Sequence, residues 1–118
     1  MESYILLLHG TDAAKPKPKL SPEEIQAIIE KYKAWGQRLR DAGRIAGGSK
    51  LEDGTGRMML GNGAQVRISD GPFTETKDVI GGFYILNAAS YDEAVDLCRD
   101  CPHLEYGGGI EIRRVQVV

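Results

Sequence analysis

The spacing of apolar positions changes several times along the chain, and each change marks an element. Tyr4 to His9 is a continuous apolar run closed by a histidine, which predicts a strand covered on both faces and central in its sheet. Gly10 to Leu20 follows, with Lys15-Pro16-Lys17-Pro18-Lys19 inside it. The alternating prolines block helix and ladder bonding, and the lysines keep this arm in water. Ser21-Pro22-Glu23-Glu24 then opens a helix with a serine cap, a proline at the first helical position and a glutamate placed to return a bond to the cap. Ile25, Ile28, Ile29, Tyr32, Trp35, Leu39 and Ala42 recur at helical spacing and predict its inward stripe, which ends at Gly43.

Arg44 to Leu51, Arg57 to Leu60 and Ala64 to Ser69 are short β-prone pieces parted by the glycine turns Glu52–Gly56 and Gly61-Asn62-Gly63, the pattern of a hairpin-like excursion. In the last piece Val66 and Ile68 alternate with polar residues, so one face is wet. Val79 to Asn87 contains Phe83-Tyr84-Ile85-Leu86, a second run apolar on both faces, entered through Gly81-Gly82, which permits a bulge or close backbone approach. Ser90-Tyr91-Asp92-Glu93 repeats the capping pattern, with Ala94, Leu97, Cys98 and Cys101 as the stripe of a short helix stopped by Pro102. Gly107-Gly108-Gly109 releases a final strand, Ile110 to Val118, whose phase blurs at Arg113-Arg114, where a bulge would fit.

This order, βα, a β excursion, then βαβ, predicts an α+β ferredoxin-like βαββαβ sandwich with a β-hairpin excursion, a single domain over residues 1–118. In that topology the first and third core strands are central, matching the two runs apolar on both faces. Two helices cover one face of such a sheet. The other calls for a second copy, so a sheet-to-sheet homodimer, a dimeric α/β barrel, is expected.

The chain has 118 residues, 42% of them apolar and 27% charged, with a formal net charge of −2. Such a balance gives no ground for expecting disorder or nucleic acid as a partner. The first apolar run, Tyr4 to Leu8, is too short for a signal peptide or a membrane span, and a soluble cytoplasmic protein is expected.

The densest chemistry lies in Asp70-Gly71-Pro72-Phe73-Thr74-Glu75-Thr76-Lys77. Asp70-Gly71-Pro72 reads equally as a plain turn, but a turn does not require Phe73, Glu75 and Lys77, which alternation places on one side of an extended segment. Phe73 would anchor the loop over a pocket, with Glu75 and Lys77 facing a polar ligand and Asp70 as a second carboxylate. His9 ends a central strand as a packed ring or a pocket wall; His103 follows Pro102 in a loop with Tyr106 and is the best base if it approaches Asp70 or Glu75. Arg113 suits a ligand anion or an ion pair. The site set is thus Asp70, Glu75 and His103 for proton transfer, and His9, Phe73, Lys77, Tyr106 and Arg113 for binding, with no cofactor required.

Cys98 and Cys101 sit at the end of a helix, where the dipole raises rather than lowers a thiol pKa, and read as reduced thiols. With His103 they lack a fourth zinc ligand at the usual spacing, so no metal is expected. Gly47-Gly48-Ser49-Lys50 lacks the spacing and the following helix of a phosphate-binding loop.

Asp70-Gly71-Pro72-Phe73, followed by Gly81-Gly82-Phe83 and by Gly108-Gly109-Ile110-Glu111-Ile112-Arg113, resembles the DGPF-motif branch of the YCII-related proteins over nearly the whole chain. The resemblance implies a dimeric α/β-barrel fold. It also implies suspected enzymes that use a histidine in the first helix and an aspartate just after the second. Here the helix Ser21 to Ala42 has no histidine, and Cys101 stands before Pro102 where that aspartate is placed. Relatives beside or fused to sigma factors add a regulatory, transcription-related protein partner as a competing role. The sequence therefore supports a small-ligand module, a cofactor-free acid–base enzyme, or a regulatory accessory domain.

Overall fold

The computed structural model describes residues 1–10, 19–70 and 79–118. Its elements run β1 (Glu2–His9), α1 (Pro22–Asp41), β2 (Ile45–Lys50), β3 (Arg57–Leu60), β4 (Arg67–Asp70), β5 (Ile80–Ala88), α2 (Tyr91–Cys98), α3 (Pro102–Glu105) and β6 (Gly109–Arg114), with one 3-10 turn at Gly63–Gln65. The fold is α+β. An antiparallel sheet carries the order β2-β5-β1-β6, and β3 and β4 form a separate two-stranded hairpin. The two strands read as apolar on both faces, β1 and β5, are the central pair.

Alternation on β1 sends Tyr4, Leu6 and Leu8 to one face, where they are buried. Leu86 and Ala88 of β5, Trp35 and Leu39 of α1, Ala94 and Cys98 of α2, Ile45 and Cys101 complete one core on that side. Burying the large members of this set, each excluding water from its whole side chain, contributes on the order of 1.5–3 kcal/mol apiece. The opposite face carries Ile5 and Leu7 of β1, Phe83 and Ile85 of β5, and Glu111 and Arg113 of β6. None of these residues is buried among the described residues.

Both helices start at their serines. Ser21 accepts from the Glu24 amide at 3.1 Å and the Glu24 carboxylate accepts from the Ser21 amide, a closed capping box. At α2 only half of it forms: Ser90 accepts from the Glu93 amide, while Glu93 takes the Ala89 amide and Arg44 instead. α1 ends in a Schellman motif, with Arg44 N–H on Leu39 O at 2.7 Å and Gly43 N–H on Arg40 O at 2.9 Å, and Gly43 at φ 73° supplies the left-handed residue.

Several expectations change. Of the α1 stripe only Trp35 and Leu39 are buried, and Ile25 and Ile29 are exposed, because the core engages only the second half of the helix. Pro102 does not merely stop α2. It opens α3, a single turn, so His103 is helical rather than in a loop. β6 ends at Arg114, short of Val118, and pairs with β1 without a register shift. The register shifts lie instead at Gly81, where Leu8 faces Gly82 and His9 faces Ile80, and on β2 between Ile45 and Gly47. Among the described residues, no helix is long and apolar enough to cross a membrane.

Candidate functional site

The end of β1 is where the chemistry gathers. His9 occupies the last position of the strand, on the uncovered face. Glu111, two residues into β6, pairs across from Leu7 and so shares that face. Its Oε1 lies 2.8 Å from His9 Nε2, and its Oε2 accepts from Arg113 at 3.4 Å. The hydrogen bond from His9, with a smaller contribution from Arg113, holds the Glu111 carboxyl below the usual carboxylate range. An ionised carboxylate only accepts, so Nε2 carries the proton in this bond. His9 Nδ1 is buried and has no hydrogen-bond partner among the described residues.

On the helix side of the same strand end stands His103. Its Nε2 lies 2.6 Å from the main-chain carbonyl of His9, and its Nδ1 lies 3.0 Å from the hydroxyl of Tyr32 on α1. A carbonyl can only accept, so Nε2 is the donor; in the neutral ring Nδ1 then accepts from Tyr32. Burial pushes the Tyr32 phenol up to about 12, which keeps it a donor throughout the neutral range. Tyr106 stacks near Tyr32 with ring centroids 6.5 Å apart, and Lys31 lies 5.7 Å from the Tyr106 centroid while bonding Glu105 at 3.0 Å.

Among the residues expected from sequence, His9 and Arg113 thus meet on one face through Glu111, and His103 and Tyr106 stand on the other side of the same strand end. Asp70 is the last residue of β4, fully in solvent beside Arg57 at 3.4 Å. Glu75, Phe73 and Lys77 lie outside the described residues, as do positions 11–18 of the lysine–proline arm. The chain re-enters the sheet at Val79, whose carbonyl accepts from Gly10 N–H at 2.7 Å, directly after His9. Glu111 and Tyr32 were not among the expected site residues. The alternation of Glu111 and Arg113 against Ile110 and Ile112 is the one sequence signal for the first, and the α1 stripe hides the second among core positions.

A second polar group lies between α1 and the turn after α2. Asp100 accepts from Trp35 Nε1 at 3.1 Å and from Arg38 at 2.5 Å, and Arg38 first, then Trp35, holds its carboxyl low. Cys101, at the position before Pro102, is buried in the core. Burial pushes the Cys98 thiol up to about 12 and Cys101 upward as well, so neither is a ready nucleophile. Among the described residues no three His, Cys, Asp or Glu side chains converge as a metal site.

Comparison with known proteins gives three findings. Residues 3–118 match the model of the YCII-related domain. An uncharacterized protein of Rhizobium meliloti (strain 1021) is 33% identical over 95 residues, covering 79% of this chain and 77% of that protein. A solved structure, the 5-chloro-2-hydroxyhydroquinone dehydrochlorinase of Burkholderia phenoliruptrix AC1100 in complex with 2,5-dihydroxybenzoquinone, aligns over 97% of this chain and 95% of its own at 22% identity and a TM-score of 0.46, a likeness too loose to bear on activity. With the family model spanning nearly the whole chain, the protein belongs to the YCII-related family.

Proposed function

We propose that the chain is a homodimeric module of ferredoxin-like topology, in the DGPF branch of its family, that binds a small polar or anionic molecule at the end of β1. The observation that carries this reading is the His9–Glu111–Arg113 contact set beside Ile5, Leu7, Phe83 and Ile85 on the uncovered face of the sheet. An apolar wall with a few convergent polar groups is the usual makeup of a small-molecule site. The Arg113 bond to Glu111 is long at 3.4 Å, leaving the guanidinium able to take a ligand carboxylate or phosphate. Pairing the uncovered faces of two copies would take the four apolar residues out of water and enclose the ligand.

Cofactor-free proton transfer is the second reading, favoured by the 2.8 Å His9–Glu111 pair, since a carboxylate on one ring nitrogen stabilises the imidazolium formed when the other accepts a proton. Of the residues the sequence offers for that chemistry, His103 lies on the helix side with both ring nitrogens bonded and Asp70 is exposed at the end of β4, so His9 is the base in this reading. A thermal-shift screen of small organic acids and hydroxylated metabolites, with every hit assayed for turnover, tests both. Binding without turnover supports the first reading, and turnover abolished by His9→Gln supports the second. A screen in which nothing raises Tm contradicts both.

A further inference from the structure

We propose that His103 is a positioning residue for the site: its ring clamps the main chain of His9 to helix α1 and thereby holds the His9 side chain against Glu111. This rests on the reading of the end of β1 as the binding site, and it concerns a residue that touches none of the site's side chains on the uncovered face.

Several independent features of the fold serve this one ring. Pro102 opens α3 and fixes its first turn, so that His103 projects back toward the sheet rather than into solvent. His103 Nε2 donates to the His9 carbonyl at 2.6 Å, and Nδ1 receives the Tyr32 hydroxyl at 3.0 Å, so both ring nitrogens are committed in one tautomer. The space for the ring exists because residue 108 is glycine: a Cβ there would run into the imidazole. The main chain folds over it, Gly107 at φ 85° and Gly108 N–H bonded to the His103 carbonyl at 3.0 Å, before entering β6 at Gly109, the partner of His9. The strand that carries Glu111 is therefore launched from the same clamp that fixes His9. Three elements, α1, β1 and β6, meet at His103, and the His9–Glu111 geometry depends on two of them.

A ring that merely fills space would not depend on its donor and acceptor pattern, and the test uses that difference. Imidazole nitrogen NMR and a carboxyl titration of Glu111 are recorded on the full chain without ligand, for the parent and for Tyr32→Phe, His103→Gln and His103→Ala. The parent is expected to show His103 protonated at Nε2 and unprotonated at Nδ1. Tyr32→Phe is expected to shift the Nδ1 resonance, as it loses its donor, and to leave Nε2 in place. His103→Ala is expected to raise the Glu111 midpoint toward the value of an unpaired glutamate, about 4.3, whereas His103→Gln, which keeps a donor in reach of the His9 carbonyl, retains the parent midpoint. A His103 ring protonated at Nδ1, a Glu111 midpoint unmoved in His103→Ala, or an equal rise in His103→Gln overturns the proposal. Should His103→Ala lose its fold, Tyr32→Phe decides alone: an unmoved Nδ1 resonance there is equally fatal. No ligand enters these measurements, so their failure is distinct from a failure of the binding reading.

Discussion

Glu111 is the residue on which the proposed site's electrostatics turn, because it bonds both His9 and Arg113. Arg113→Gln removes the cation that the proposed reading gives to a ligand anion. A charge-assisted hydrogen bond contributes roughly 1.5–3 kcal/mol against about 1 for a neutral one, so an anion held there is expected to bind about tenfold more weakly, by calorimetry, with Tm nearly unchanged because the Arg113 side chain is exposed. The thiols give a second residue-scale prediction: with Cys98 pushed up to about 12 by burial, both cysteines should react slowly with a disulfide reagent at pH 8 in the native protein and rapidly in denaturant. Fast stoichiometric labelling of the native chain would contradict the burial. Single residues were unevenly legible in sequence. His9 and Arg113 stood out because a histidine closing an apolar run and an arginine alternating with isoleucines break a pattern. Glu111 did not, because a carboxylate on the polar phase of a strand looks like ordinary solvated surface, and its partner is 102 positions away in the chain.

Elements were read most securely where local chemistry alone decides them. The capping box at Ser21 and the glycine stop at Gly43 depend on neighbours within a few residues, and both form. Ser21→Ala should cost about 1 kcal/mol in denaturant unfolding. Length was harder to read than kind. The α1 stripe identifies the inward face but not how far along the helix the core extends, so Ile25 and Ile29 were expected inside and are exposed. α3 is too short to show a period, and β6 stops at Arg114, where the alternation of the sequence breaks, although the β-prone residues run on to Val118. Inter-element ties were invisible to sequence, yet they set the acid behaviour. Glu93, held low by the Ala89 amide and by Arg44, and Asp100, held low by Arg38 and Trp35, each have a folded pKa below the unfolded one. Their stabilisation is complete above the ordinary carboxylate pKa and is lost as pH falls through the lowered folded values. The denaturation midpoint should therefore fall on acidification below about pH 4, and Glu93→Gln should flatten that fall. A parent midpoint independent of pH across this range would show that the ties contribute nothing.

At the scale of the molecule, a sheet covered by helices on one face and open on the other explains both the core and the site. Leu86, fully buried at the centre of the core, should cost about 2–5 kcal/mol when cut to alanine. The uncovered face, with Ile5, Leu7, Phe83 and Ile85 at its middle, predicts a dimer mass by light scattering at micromolar concentration, and a monomer would leave this face unexplained. The sheet's central strands were legible because both phases of each are apolar, although only one phase is buried in the chain. The Asp70–Lys77 segment drew attention by its composition, whereas the groups brought into contact belong to strand ends far apart in sequence, a juxtaposition only the fold creates. Where a ligand goes is therefore the decisive property of this molecule. Amide-resolved NMR of the full chain against a library of small organic acids and hydroxylated compounds reads this directly. The predicted result is a binder that shifts His9, Glu111 and Arg113 together and loses affinity in Arg113→Gln; binders that shift only the Trp35–Asp100 region and leave the end of β1 untouched would contradict it.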